Sequence, residues 1–125
     1  MNIVDIAHRG YTAHARQIKS PRATEYEAVS RISHRLRRAA LNRQNDYPAF
    51  VTALSENRRM WTTFAIDVAQ PENALPQELR ARIFYLAEFT EAETRRILKG
   101  EGDVAALIEV NAALLQGLNP QDAAG

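Results

Sequence analysis

The sequence predicts an all-α fold, a single-domain antiparallel bundle of about five helices. Apolar residues recur at helical spacing over long segments, and the Asn-Gly and Asp-Gly turns typical of hairpins are missing between alternating apolar residues. The connections between amphipathic segments are short, which favours antiparallel neighbours. The chain has 125 residues, 46% hydrophobic and 25% charged, a composition that suits one globular domain. We expect the bundle to span residues 1–118 and residues 119–125 to form a disordered tail.

The first two predicted helices lie on either side of Ser20 and Pro21. The first covers about residues 3–18 and is weakened by Gly10. Ser20 is a favourable N-cap, and a proline at the first helical position lacks only an N–H that would have no helical partner. The second helix should therefore run from Pro21 to about Asn42. Its apolar face is spaced by three and four residues: Tyr26, Val29, Ser33, Leu36 and Ala40.

The third helix has the clearest periodicity. It should begin after Asp46, with Pro48 in its first turn, and end near Gln70, because Pro71 cannot continue a helix. Its stripe carries an amide among apolar residues: Phe50, Leu54, Asn57, Trp61, Phe64 and Val68.

The last two helices are separated by glycines. Leu75 and Pro76 open the fourth helix, and Gly100 is suited to close it. Asp103 is a good N-cap for the fifth helix, and Gly117 suits its end. The fourth stripe comprises Leu79, Ile83, Leu86, Thr90 and Ile97, with Phe89 beside it; the fifth comprises Leu107, Ile108, Asn111, Leu114 and Leu115.

Charge and composition exclude several classes of protein. The chain has no cysteine, so disulfides and cysteine metal sites are excluded. Neither a signal peptide nor a membrane span is visible, and we expect a cytoplasmic protein. The net charge of +1 argues weakly against a dedicated nucleic-acid binder, although most of the positive charge lies in the N-terminal half. This asymmetry either steers an acidic partner or complements the rest of the bundle.

The residues that usually carry catalysis are absent or badly spaced. The three histidines, His8, His14 and His34, do not form a helical zinc motif, and the five scattered glycines make no phosphate or dinucleotide loop. Glu88, Glu91 and Glu93 are clustered, which on a helix is typical of a solvated face. We therefore expect no enzyme, no cofactor and no metal site.

Two asparagines occupy positions where the periodicity expects apolar residues, Asn57 and Asn111. A buried amide must be hydrogen-bonded, so we favour a role in fixing helix register over contact with a partner. Arg58 and Arg59 follow Asn57 and are expected to reach carboxylates on the second helix, with Glu25 as the leading candidate. Trp61 lies on the densest apolar stripe and is expected in the core, with an interface anchor as the alternative.

The basic run at Arg35, Arg37 and Arg38 has two interpretations. Charge alone allows it to contact RNA phosphates. The sequence shows no aromatic-rich sheet or other recognition fold to support such contact, so a solvated helix face is favoured.

An ordered set of short motifs resembles the FlaF family of flagellar regulators of alphaproteobacteria. The set covers about residues 11–118 and comprises Ser20-Pro21-Arg22-Ala23-Thr24-Glu25-Tyr26, Ala53-Leu54, Asn57-Arg58-Arg59-Met60-Trp61, Phe64-Ala65, Asp67-Val68-Ala69, Asn73-Ala74-Leu75-Pro76, Leu79-Arg80-Ala81, Leu107-Ile108-Glu109-Val110-Asn111 and Gln116-Gly117-Leu118. Two positions depart from the family pattern: Glu93 stands where many members carry His, and Ser33 where Thr is common.

The resemblance implies a cytoplasmic protein associated with flagellin synthesis and export, acting alongside the regulator FlbT. A flagellin-binding secretion chaperone is the leading hypothesis, because flagellin's terminal amphipathic helices need masking before assembly. The alternative is a post-transcriptional regulator of flagellin messenger RNA, acting directly or through FlbT. The residues predicted to bind a partner are Arg22, Glu25, Tyr26, Asn57, Arg59, Trp61 and Asn111.

Overall fold

The computed structural model describes residues 21–118, with side chains from Glu25 to Gly117. These residues form four helices and no strand: α1 (Pro21–Leu41), α2 (Tyr47–Ala69), α3 (Gln77–Leu98) and α4 (Val104–Leu118). The all-α class is confirmed. The predicted helix over residues 3–18 and the tail over residues 119–125 lie outside the described residues. The count of five helices and the antiparallel order therefore stay predictions.

The helices begin and end within a few residues of the predicted positions. At the start of α2, the Asp46 side chain accepts a hydrogen bond from the Ala49 N–H at 3.1 Å, and Pro48 lies in the first turn. This N-cap satisfies one of the N–H groups that a helix leaves without a partner. The helix α2 ends at Ala69, two residues before Pro71. The capping residue and the prolines therefore set the ends of this helix, as expected.

A glycine turn closes α3. Gly100 has a φ of +81°, a left-handed conformation that residues with a Cβ rarely adopt. The Gly100 N–H donates to the Ile97 carbonyl at 2.9 Å, and the Glu101 N–H donates to the Arg96 carbonyl at 2.9 Å. These two bonds make a Schellman motif, which satisfies carbonyls at the helix end. The predicted role of Gly100 is confirmed.

The hydrophobic core consists of two clusters. The Trp61 cluster is built from the buried residues Val29, Met60, Trp61, Phe64, Val68, Ile83, Ala87 and Leu114. The Leu36 cluster is built from Leu36, Phe50, Ala53, Leu54, Ile97 and Leu107. Each of the four helices contributes to both clusters, so the burial of apolar surface links every described element to the others.

Each helix also carries a buried polar residue between its contributions to the two clusters. On α1 this residue is Ser33, on α2 Asn57, on α3 Thr90 and on α4 Asn111. Their exposed fractions are 8%, 0%, 1% and 0%, so these groups need partners inside the protein. The four helices are thus apolar, polar and apolar again along their buried faces.

Adding a Cβ should affect stability very differently at Gly102, in the α3–α4 connection, and at Gly117, in α4. A Cβ on Gly102 would lie 2.7 Å from the Ile97 backbone nitrogen and 2.9 Å from a Glu93 carboxylate oxygen, whereas a Cβ on Gly117 would meet no atom within 4 Å. We expect Gly102→Ala to lower the free energy of unfolding by about 1–3 kcal/mol through overpacking. Gly117→Ala, inside α4, should be neutral or raise it by up to about 1 kcal/mol. Urea unfolding followed by circular dichroism measures both, and equal midpoints for the two variants would contradict the close packing at Gly102.

Candidate functional site

A chain of hydrogen bonds joins α2 and α4 in the interior. The Trp61 Nε1–H donates to Asn111 Oδ1 at 2.8 Å, and the Asn111 Nδ2 group donates to Asn57 Oδ1 at 2.8 Å. All three side chains are at most 1% exposed. The two amides therefore pair between helices, as the register interpretation predicts, and Trp61 lies in the core. Their additional role as partner contacts stays a prediction, and within the described structure no surface presents them.

The same interior contains polar atoms that are less well satisfied. Within the described residues, Asn57 Nδ2 and Thr90 Oγ1 are buried without a hydrogen-bond partner, whereas the Thr94 hydroxyl donates to the Thr90 carbonyl at 2.7 Å. A buried polar group without a partner costs about 1–3 kcal/mol. The unpaired polar atoms in the interior therefore lower the free energy of unfolding.

The remaining predicted partner residues are distributed over different surroundings. Arg59 is exposed on α2, while Glu25 and Tyr26 are half-buried near the start of α1. The Arg22 side chain lies outside the described residues. Of the six predicted residues whose side chains are described, Asn57, Trp61 and Asn111 are buried, so these six do not form one surface patch.

An ion pair that the sequence assigned to the wrong partner joins α2 to α3. The Arg58 Nε–H donates to Glu91 Oε1 at 2.7 Å, and a second bond joins the Arg58 Nη2 group to Glu91 Oε2. Arg95 lies 3.6 Å from the same carboxylate. These contacts hold the pKa of Glu91 below its ordinary value, mainly through the hydrogen bonds from Arg58 and against the effect of burial. The expectation that Arg58 reaches Glu25 is therefore wrong, and Arg59 is exposed.

The acidic cluster of α3 is a solvated face only in part. Glu88 is exposed as expected, but Glu91 is half-buried in its ion pair and Glu93 is 8% exposed. Glu93 Oε2 accepts a hydrogen bond from the Asp103 N–H at 2.7 Å, so this carboxylate fastens the loop before α4. The solvated-face interpretation is therefore wrong for Glu91 and Glu93. Each accepts a hydrogen bond from a donor outside α3, Arg58 for Glu91 and the Asp103 N–H for Glu93.

A concave surface lies where the α1–α2 turn meets the α3–α4 loop. We call it the end groove; it encloses about 970 Å³. Its lining comes from the end of α1 (Arg37, Ala40, Leu41), the turn (Arg43, Gln44), the start of α2 (Tyr47, Phe50), the end of α3 (Ile97), the α3–α4 loop (Gly100, Gly102, Asp103) and α4 (Val104, Ala105, Ile108, Glu109). A smaller groove of about 290 Å³ lies between α2 and α3.

The end groove combines a fixed floor with exposed apolar side chains. Phe50 and Ile97 are buried members of the Leu36 cluster, whereas Leu41 is 85% exposed and Tyr47 is 49% exposed. The Tyr47 and Phe50 rings lie 5.9 Å apart, and the Arg43 guanidinium lies 5.6 Å from the Phe50 ring centre. Apolar side chains gathered in one concave surface mark an interaction site more strongly than scattered ones do.

Sequence reasoning missed this groove because its lining combines two stretches of the chain that are distant in sequence, residues 37–50 and 97–109. One signal was available: Leu41 follows Ala40, the last residue of the apolar stripe of α1, and so lies off that stripe. An apolar residue off the stripe at a helix end is a small but usable sign of an exposed contact.

Two further findings concern the described residues alone. In residues 21–118 no three histidine or acidic side chains are grouped in a way that would hold a metal ion. No helix of that part of the chain is long and apolar enough to span a membrane.

The fold and these surfaces define a small helical protein with a polar-bonded interior and an open groove at one end. Residues 7–118 match the family described as flagellar protein FlaF. The match covers most of the chain, and the chain therefore belongs to the FlaF family of flagellar proteins, as the ordered motifs predicted. Comparison with curated proteins and with solved structures gives no match.

The interior hydrogen bonds predict non-additive effects on stability. Trp61→Phe removes the donor to Asn111, and Asn111→Leu leaves both the Trp61 N–H and Asn57 Oδ1 without their partner. We expect each single change to lower the free energy of unfolding by about 1–3 kcal/mol or more, and the double change to cost at least about 1 kcal/mol less than the sum. Urea unfolding of the four proteins measures this coupling.

The matched control pairs Trp61→Phe with Phe50→Leu, since Phe50 lies in the other apolar cluster. Those two effects should add within about 0.5 kcal/mol. Additivity of Trp61→Phe with Asn111→Leu as well would contradict the energetic importance of the bond.

The Arg58–Glu91 pair predicts a pH dependence of stability. The pKa of Glu91 is lowered in the folded protein, so its contribution is fully present above the ordinary value of 4.5 and is lost as the pH falls through the lowered value. Glu91→Gln should therefore reduce stability at neutral pH and flatten the loss of stability below about pH 4.5. Thermal unfolding between pH 3 and 7 measures the slope. Glu88→Gln, on the exposed part of α3, is the control and should leave the slope unchanged.

Proposed function

We propose that this FlaF-family protein is a non-catalytic, cytoplasmic flagellar regulator that supports flagellin synthesis and export by binding flagellin as a secretion chaperone. The observation that carries the proposal is the end groove, in which the exposed Leu41 and Tyr47 stand over a buried floor. Membership of a flagellar family supports a partner from the flagellar system. We propose further that residues 1–118 form a single domain, an antiparallel helical bundle.

A groove of this kind suits an amphipathic helix. An α-helix with its side chains is about 10–12 Å wide and rises 1.5 Å per residue, so a volume of about 970 Å³ corresponds to about two turns. Helix-in-groove binding uses apolar anchors spaced over two or more turns. Flagellin's terminal segments are amphipathic helices that self-associate, and covering their apolar faces would keep them competent for export.

The buried polar residues of the interior support this proposal, because they are separate from the binding surface. Asn57, Asn111 and Trp61 are occupied with one another, so they form a scaffold behind the binding surface. A partner would contact the helix ends and the loop, where substitution does not disturb those bonds. In this arrangement, substitutions at the binding surface would change the affinity for a partner without changing the stability of the fold.

A second candidate function is regulation of flagellin messenger RNA, directly or through FlbT. The observation that favours it is the exposure of four arginines on α1: Arg31, Arg35, Arg37 and Arg38. Arg35 is already paired with Glu56, with 2.6 Å between Nη1 and Oε2, which weakens its availability to phosphate. The groove therefore supports the chaperone better than the basic face supports RNA binding.

Isothermal titration of the full chain with monomeric flagellin tests the proposal. We expect saturable binding that is lost when flagellin's terminal helices are deleted. Leu41→Ser should weaken the affinity by about tenfold or more, because burying a leucine side chain is worth about 1.5–3 kcal/mol. Tyr85→Ser is the control: Tyr85 is 67% exposed on α3 and does not line the groove.

Two outcomes would contradict the proposal. Absence of any complex with flagellin would remove the chaperone role, and the same titration would then be made with FlbT and with flagellin messenger RNA. Equal weakening by Leu41→Ser and Tyr85→Ser would show that flagellin does not use the end groove. Direct RNA binding would be recognised by an affinity that falls steeply with salt.

A further inference from the structure

The charged side chains of the end groove are separated by sign. Arg37 and Arg43 come from α1 and the turn after it, whereas Asp103 and Glu109 come from the α3–α4 loop and α4. No ion pair of the described residues joins the two sides. The groove therefore has a basic wall and an acidic wall with an apolar floor between them.

The two walls differ in how far their charges are engaged within the protein. Asp103 accepts a hydrogen bond from the Ala105 N–H at 2.9 Å, whereas the exposed Glu109 side chain makes no ion pair within the described residues. On the basic wall, Arg43 lies over the Phe50 ring, and Arg37 is exposed. Arg35 and Arg58, by contrast, are already paired with Glu56 and Glu91. Charges that make no ion pair are the ones left to meet a partner.

We propose that the end groove selects an amphipathic helix whose apolar face is bordered by acidic residues on one edge and basic residues on the other. The acidic edge would face Arg37 and Arg43, and the basic edge would face Glu109. The inference rests on the proposed function, because it describes which helices the chaperone's groove accepts. Complementary charge contributes more to specificity and association rate than to affinity. The apolar contacts with Leu41 and Tyr47 therefore provide most of the affinity, and the charged walls provide the specificity.

The two-walled arrangement also fixes the direction of the bound helix. Turning a helix end for end over the same apolar face exchanges its left and right edges. A helix with unlike edges therefore matches the walls in one direction only. A groove with walls of one sign would accept both directions equally.

Three synthetic helices test the proposal against the full chain. They share one apolar face and differ at the edges: one has an acidic and a basic edge, one has two acidic edges, and one has two basic edges. We expect the mixed helix to bind about threefold to tenfold more tightly than either of the others at low salt, since exposed ion pairs are individually weak. The preference should shrink at high salt, where the charges are screened.

Charge reversal of each wall gives the sharper result. The double variant Arg37→Glu with Arg43→Glu should turn the preference toward the helix with two basic edges. Glu109→Lys should turn it toward the helix with two acidic edges. Arg31→Glu is the matched control, because Arg31 is an exposed arginine of α1 that does not line the groove, and the wild-type ranking should persist.

The possible failures separate this inference from the function on which it rests. Equal binding of the three helices, with loss of all three on Leu41→Ser, would overturn the charge selection while leaving the groove as the flagellin site. Binding of flagellin with no binding of any synthetic helix would overturn the inference and leave the chaperone role standing. A dimer in sedimentation that dissociates on Leu41→Ser would show that the groove holds a second copy of the chain, which also overturns it.

Discussion

The hydrogen bonds from Trp61 through Asn111 to Asn57 cross the interior and fix the position of α4 relative to α2. These amides are fully buried, so the alternative to this pairing is a set of unpaired polar groups in the interior. A shift of α4 by one turn would bring Leu107 or Leu114 toward Asn57. The side chains of Trp61, Asn57 and Asn111 would then lose their hydrogen-bond partners. Apolar packing alone tolerates such a slip much better, because leucines are interchangeable to a good approximation. The amides therefore determine the register that the two apolar clusters then fill.

That register places the surface where we locate function. With α4 fixed against α2, the loop before α4 is held by Glu93 and by the glycine turn at Gly100. The Leu36 cluster then supports Phe50 and Ile97 as the floor of the end groove. In the function that we propose, this polar interior acts on binding through the position of the helix ends.

The sequence predicted what depends on local spacing and missed what depends on long-range neighbours. The four described helices and the burial of Asn57 and Asn111 follow from a period that one helix displays by itself. The partner of Arg58 does not, since Glu25 and Glu91 are equally plausible until the neighbouring helix is known. Glu93 looks solvated for the same reason, because its donor comes from a loop ten residues away. The end groove could not be predicted as a whole, because its lining combines residues 37–50 with residues 97–109, which meet only in the folded protein.

The position of the exposed apolar residues Leu41 and Tyr47 favours a role in binding. Leu41, at 85% exposed, adds almost nothing to the burial that stabilises the fold, and a polar residue would end α1 equally well. A single exposed leucine is ordinary. Leu41, however, shares one concave surface with Tyr47, and the charges around it make no ion pair within the described residues. Such a surface can change its partner preference by substitution at the rim, while the amide pair and the two apolar clusters keep the scaffold unchanged.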